Sequence, residues 1–179
     1  MLTADNALLL IIDVQVKLFR VMPDKEELLK KIGNLIQGCA LLGVPAIITE
    51  QNTAGLGPTI PEIASLTPET ATIEKFTFSC CAENGFLETL RNTGRRQIII
   101  CGIESHICVY QTALELQKAG YEVQIVTDGV ASRSPANRKL ALTRLQNEGI
   151  RLTGVEMALF EMLKTARSEQ FKAVSTLIK

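Results

Sequence analysis

Tryptophan is absent, histidine occurs once, and aromatic residues make up only 4% of the chain. Any core must therefore be aliphatic, and the 46% hydrophobic content supplies it as Leu, Ile, Val and Ala. Net charge is missing too, since 19 basic residues balance 19 acidic ones. That balance gives no electrostatic reason to expect a nucleic acid or an anionic membrane as partner. It also offers little self-repulsion to oppose a homo-oligomer, dimer or tetramer. No stretch approaches the roughly 20 apolar residues of a membrane span. The first six residues run almost straight into a strand with no basic region ahead of an apolar one, which argues against a signal peptide. The five cysteines show no Cys-x-x-Cys or Cys/His metal spacing. An odd number in apolar surroundings points to a reducing, cytoplasmic setting and to no bound metal.

What is present is a regular alternation. Strand signals fall at residues 7–14, 44–49, 71–74, 97–103, 122–127 and 150–153. Several are apolar without polar alternation, as strands buried on both faces are. Helical patterns lie between them at 24–42, 83–92, 108–119, 135–147 and 155–166, closed by Gly43, Gly94, Gly120 and Gly149. The 179 residues suit one domain, and the alternation predicts a three-layer α/β/α sandwich on a doubly wound, mainly parallel six-stranded sheet. Ligands of such sheets bind beyond the carboxyl ends of the strands, near the switch point. The stretch 51–70, rich in Gly, Pro and Thr, is long enough to suggest a lid.

Three residues stand at strand ends. Asp13 follows the apolar run 8–12, where a lone Asp is as readily a turn or cap residue as an acid or base. Lys75 ends the third strand; alone, it reads more naturally as a snorkelling surface lysine. Cys108 lies at the start of a helix, where free N–H groups and the helix dipole favour a thiolate. A buried free cysteine is ordinarily a small hydrophobe, and that description suits Cys39 and Cys101 better. An acid, a cation and a thiol each following a different strand of one parallel sheet carry more weight together than singly. They converge if the first, third and fourth strands are neighbours around the switch point.

Asp13-Val14-Gln15 with Phe19, the strand-terminal Lys75, and the run from Gly102 to Val109 with Thr112-Ala113 resemble the signature blocks of the isochorismatase-like cysteine hydrolases. The likeness covers nearly the whole chain. Residues 49–59 and 156–161 resemble the isochorismatase domain-containing subgroup. The resemblance implies a cofactor-free hydrolase in which Cys108 attacks a carbonyl carbon, Asp13 shuttles the proton and Lys75 favours the thiolate. It further implies an oxyanion hole from the backbone N–H groups of Glu104 and Cys108, and a cis Ile103–Glu104 peptide. Position suggests Phe19, Gln51, Phe76 and Phe78 as contacts for a small-molecule substrate.

Departures from the family pattern narrow the chemistry. Its nicotinamidases hold a metal through several histidines, whereas His106 stands alone beside the Cys108 block. True isochorismatases lack the nucleophilic cysteine present here. Amide, ureido or ester cleavage through an acyl-enzyme is the expected reaction. A catalytically idle scaffold is the alternative, and a flavin- or nucleotide-binding domain is disfavoured by the lack of GxGxxG after the first strand. His106 is two residues from Cys108, a separation that does not align side chains on one helix face; it suits an entrance or subunit contact better than a Cys–His dyad.

Overall fold

Apolar residues on consecutive rather than alternate positions need hydrophobic cover on both sides, and the chain provides it with two helical layers. The computed structural model describes residues 1–179. Its strands are β1 (Ala7–Ile12), β2 (Ala46–Gln51), β3 (Ala71–Lys75), β4 (Gln97–Ile103), β5 (Glu122–Ala131) and β6 (Arg151–Thr153). They form one sheet in the order β3-β2-β1-β4-β5-β6, with every pairing parallel. The helices are α1 (Val16–Phe19), α2 (Lys25–Leu41), α3 (Thr53–Leu56), α4 (Pro61–Ala64), α5 (Phe86–Asn92), α6 (Tyr110–Lys118), α7 (Pro135–Asn147), α8 (Val155–Leu163) and α9 (Phe171–Ile178).

The two-residue period of the strands divides the core. On β1, Leu9 and Ile11 enter the layer shared with α2, α8 and α9, while Leu8, Leu10 and Ile12 face the layer of α5, α6 and α7. On β4, Ile99, Cys101 and Ile103 go one way, and Ile98 and Ile100 the other. The predicted three-layer architecture is the one observed. Its doubly wound order puts the switch point between β1 and β4, where chain direction leaves a crevice beyond the strand ends.

Three local differences from the sequence reading have physical causes. β5 runs on to Ala131 because its pairing with β4 shifts register between Ile100 and Gly102, which lets it continue past an irregularity. α8 stops at Leu163, since Lys164 takes a left-handed conformation (φ 64°). α9 then adds a short helix beyond the expected elements; it buries Val174 and is tied to α2 where Asn34 donates to Leu177 O at 2.6 Å. The suspected lid holds the short α3 and α4 and is strapped down. Thr59 donates to Glu50 Oε1 through N–H and hydroxyl at 2.6 and 2.7 Å, and Gln15 Nε2 donates to Gly57 O at 2.6 Å.

Gly102 is the tightest point of the fold. Its φ is +122°, and a Cβ there would lie 2.1 Å from Ile12 O on the adjacent strand. Gly43 also has positive φ (+68°) but nothing within 4 Å. Chemical denaturation should therefore separate the two: Gly102→Ala should lose about 3 kcal/mol or more, or fail to fold, against about 1 kcal/mol for Gly43→Ala. Similar losses would mean that the β1–β4 approach is not the constraint.

Candidate active site

The carboxyl ends of β1, β2, β3 and β4 bring four polar side chains to one place. The first and third strands are not neighbours, as convergence seemed to require, because β2 separates them. Two strand spacings of about 4.8 Å must be bridged, and a long lysine side chain crosses them. Lys75 Nζ passes over β2 to reach Asp13 Oδ2 at 2.7 Å. It also donates to Gln51 Oε1 at 2.8 Å, lies 3.3 and 3.4 Å from the carbonyls of Thr77 and Phe78, and stands 3.6 Å from Cys108 Sγ. An ammonium has three N–H donors. Two are committed to Asp13 and Gln51, so the third is shared among two carbonyls and the sulfur.

Asp13 sits just past β1 in a left-handed conformation (φ 52°), which Asp tolerates better than most residues. That turn aims its carboxylate back over the sheet. Oδ1 accepts from Thr49 Oγ1 at 2.7 Å, while Oδ2 takes Lys75. Asp13 and Lys75 are both 0% exposed, and Cys108 is 6% exposed. Cys108 is therefore the one member of the trio with any exposure.

Cys108 belongs to a π-helical turn, Ser105–Val109, that runs into α6. The Ile103–Glu104 peptide bond entering that turn is cis. The Glu104 carboxylate is turned away, accepting from the Arg133 N–H at 2.9 Å. The helix start was expected to favour the thiolate, yet burial pushes the Cys108 thiol well above its ordinary range, and the Asp13 charge adds to the rise while Lys75 opposes it. The resting nucleophile candidate is a thiol beside a carboxylate. For Lys75, burial alone would favour the neutral amine, but Asp13 and then Cys108 outweigh it and the pKa rises. A raised folded-state value means that this contribution to stability is intact below the ordinary lysine pKa and is lost as pH climbs through the raised one.

The other predicted contacts divide. Gln51 is part of the site as a ligand of Lys75, and its Nε2 donates to Phe76 O at 2.9 Å. Phe76 and Phe78 flank the site on the loop after β3 with side chains 69% and 56% exposed. Phe19 lines a separate cleft with Val16, Leu29 and Ile60, which none of Asp13, Lys75 and Cys108 borders. His106 is turned from the sulfur toward Ser132 Oγ (3.0 Å) and Asn137 Nδ2 (3.4 Å). Cys39 and Cys101 are buried; burial pushes Cys39 up to about 12 and Cys101 higher still.

Sequence reasoning missed Thr49 and the role of Gln15. Thr49 and Gln51 are two apart on β2 and so share a face, a clue available once β2 is placed between β1 and β3. Gln15 is fully buried; its amide pairs with Gln51 N, Gln51 O and Gly57 O, bracing the strand end that carries the Lys75 ligand. Cys80 is also buried beside the site, with Sγ 3.8 Å from Thr49 Oγ1, and burial raises its thiol to about 11.

A buried carboxylate, ammonium and thiol thus meet at the switch point of a parallel sheet, and comparison with known proteins gives the chain a family. The isochorismatase domain model matches residues 7–157, and the chain belongs to the isochorismatase family, in a hydrolase's role. Isochorismatase domain-containing protein 2 of Danio rerio is 36% identical over 180 residues, spanning 99% of this chain and 89% of that protein. Among solved structures, the MAR1 ribonuclease of Caenorhabditis elegans superposes with TM-score 0.93 at 31% identity, covering 99% of this chain and 91% of its own. YcaC from Pseudomonas aeruginosa, solved with hexane-2,5-diol and covalent acrylamide, gives TM-score 0.93 at 25% identity over 98% and 90%.

The buried pair generates a stability test. Lys75→Met leaves the Asp13 carboxylate buried without its cation and should cost about 3–5 kcal/mol in urea denaturation. Adding Asp13→Asn should recover a large part of that loss. Two losses that simply add would show that the charges do not interact as the 2.7 Å contact requires.

Proposed function

We propose that this protein is a cofactor-free cysteine hydrolase that cleaves a small amide, ureido or ester substrate through an acyl-enzyme on Cys108. The observation that carries the reading is the placement of one cation, Lys75 Nζ, within 2.7 Å of a carboxylate and 3.6 Å of a thiol. Asp13 takes the proton of the Cys108 thiol, and the thiolate attacks the substrate carbonyl carbon. The carbonyl oxygen then carries negative charge, directed to the backbone N–H groups of Glu104 and Cys108. The C–N or C–O bond breaks, Asp13 returns the proton to the leaving amine or alcohol, and a thioester remains. Water attacks the thioester, giving its proton to Asp13. The acid product departs, and the sulfur recovers the proton. Lys75 gives up no proton in this cycle; its charge follows the negative charge from carboxylate to sulfur. Oxyanion donors of this kind contribute about 2.7–4 kcal/mol each to the barrier in well-studied cases.

The covalent acrylamide of the Pseudomonas YcaC structure supports the reading, since acrylamide is an electrophile that suits a thiol. Gln51, Phe76 and Phe78 are assigned to substrate recognition around the sulfur, and homo-oligomerisation as a dimer or tetramer completes the proposal. The ribonuclease name of the Caenorhabditis relative favours a second reading, phosphodiester cleavage. The site suits it less, because its one cation is already neutralised by Asp13 and the chain has no net charge.

The test is a hydrolysis panel of small amides, ureides and esters, with an RNA oligonucleotide included, run beside Cys108→Ala. Turnover of one small-molecule class, loss of at least about 10³-fold in Cys108→Ala, and an intact-mass adduct released by hydroxylamine are expected. RNA cleavage that survives Cys108→Ala would replace the reading with the second one, and an inert wild-type protein would favour an idle scaffold. Alkylation by iodoacetamide checks the resting state independently. The Cys108 midpoint should lie above about 8.5, the ordinary thiol value. It should fall in Asp13→Asn, which removes a charge that raises it, and rise in Lys75→Met, which removes one that lowers it.

A further inference from the structure

The third N–H of Lys75 has three candidate acceptors at nearly equal range, Thr77 O, Phe78 O and Cys108 Sγ. Two of the three belong to the loop following β3. Where that loop sits relative to the Cys108 helix decides how closely the cation approaches the sulfur. Something must hold the two together, because β3 is an edge strand and the side chains of Phe76 and Phe78 give the loop little anchorage of their own.

The helix supplies the anchorage from a single face. Cys108, Thr112 and Glu115 are spaced by four and then three residues, the spacing that stacks side chains along one side of a helix. Cys108 faces Lys75. Thr112 Oγ1 accepts from the Cys80 N–H at 3.0 Å. Glu115 Oε2 accepts from Ser79 Oγ at 2.6 Å, and Ser79 Oγ in turn accepts from the Cys81 N–H at 3.2 Å. Ser79 is 3% exposed, so this charge-assisted bond is sheltered at the serine end. Thr77 Oγ1 donates to Ser79 O at 2.8 Å, passing the restraint back to the carbonyls around Lys75.

We propose that Ser79 and Glu115 form a clasp holding the lysine-cradling loop against the Cys108 helix, which makes both of them positioning residues for the Lys75–Cys108 contact. Neither touches the reacting atoms. The clasp acts by keeping the ammonium near the sulfur as negative charge moves there. Its bearing on turnover rests on Cys108 being the nucleophile, but the geometry it sets can be read from the thiol alone.

The experiment is peptide-resolved alkylation of Cys108 by iodoacetamide against pH in the full-length protein, comparing wild type with Ser79→Ala, Glu115→Ala, Glu115→Gln and the double alanine variant. Losing about an ångström of approach to the cation, at an effective dielectric near 20, should move the midpoint up by ~0.5–1 pH unit in each alanine variant. The double variant should move no further than the larger single. Glu115→Gln keeps an oxygen acceptor and should hold the wild-type midpoint. A change of access scales the rate equally at every pH, so only displacement along the pH axis counts. Unmoved midpoints in folded Ser79→Ala and Glu115→Ala would overturn the clasp, as would Glu115→Gln shifting as far upward as Glu115→Ala, since an oxygen acceptor at that position would then not be what holds the loop. Should Glu115→Ala fail to fold, Ser79→Ala and Glu115→Gln decide the matter. Failure of every substrate in the hydrolysis panel would leave this measurement intact, because it needs no substrate.

Discussion

A lysine ammonium with no solvent contact has to be surrounded by acceptors, and most of the site's organisation follows from that requirement. Removing an ion from water costs several kcal/mol even after relaxation. Lys75 offsets the cost with Asp13, Gln51 and the loop carbonyls. Each of these is fixed by something further out: Asp13 by Thr49, Gln51 by Gln15, the loop by Ser79 and Thr112. A hydrophobic residue in place of the pair would serve the core at least as well. The pair is therefore poorly explained as a stabilising device and well explained as one that places charge.

The direction of the thiol shift refines what the charges do. Handing the Cys108 proton to Asp13 turns a carboxylate and a thiol into an acid and a thiolate. The site holds one negative and one positive charge before and after. In a dry environment, moving a charge is far cheaper than creating one. Lys75 is 2.7 Å from the carboxylate and 3.6 Å from the sulfur, so the resting balance lies with the ionised carboxylate. A small change in that difference of distances alters the thiolate fraction without altering the net charge. On the proposed reading, such a centre holds Cys108 protonated at rest, unlike a standing thiolate that any electrophile could consume.

How much was legible in the sequence depended on whether the signal was local. The unbroken apolar runs of β1 and β4 gave parallel, doubly covered strands, because burial on both faces leaves no alternative pattern. Pro135 and Gly149 bracketed α7 for equally local reasons, with Ser134 accepting from the Asn137 N–H at its start. α9 does carry a helical pattern in Phe171, Val174, Leu177 and Ile178, but at eight residues beyond the last strand it is short enough to be passed over. Asp13, Lys75 and Cys108 could be proposed from their strand-end positions, but not the β2 residues between them. Thr49 and Gln51 look like ordinary strand residues until the strand order is known. The thiol's acidity was misjudged for a related reason. Position at a helix start was visible, whereas the depth of burial and the Asp13 charge are products of the tertiary fold.

The exposed and buried parts of the site obey different constraints. Asp13, Thr49, Lys75 and Gln15 have no exposure, and a substitution at any one would strand a partner's hydrogen bond or charge inside the protein. Phe76 and Phe78 contribute backbone carbonyls inward and side chains outward. Their backbone is held to the site while their rings are free to be anything that suits a substrate or a neighbouring surface. The same loop thus separates buried polar contacts from exposed rings at the level of main chain and side chain. That separation gives a physical reason why this fold can accompany proteins named for quite different activities. The buried charges and their partners change only at high cost, and the exposed rings of Phe76 and Phe78 at very little.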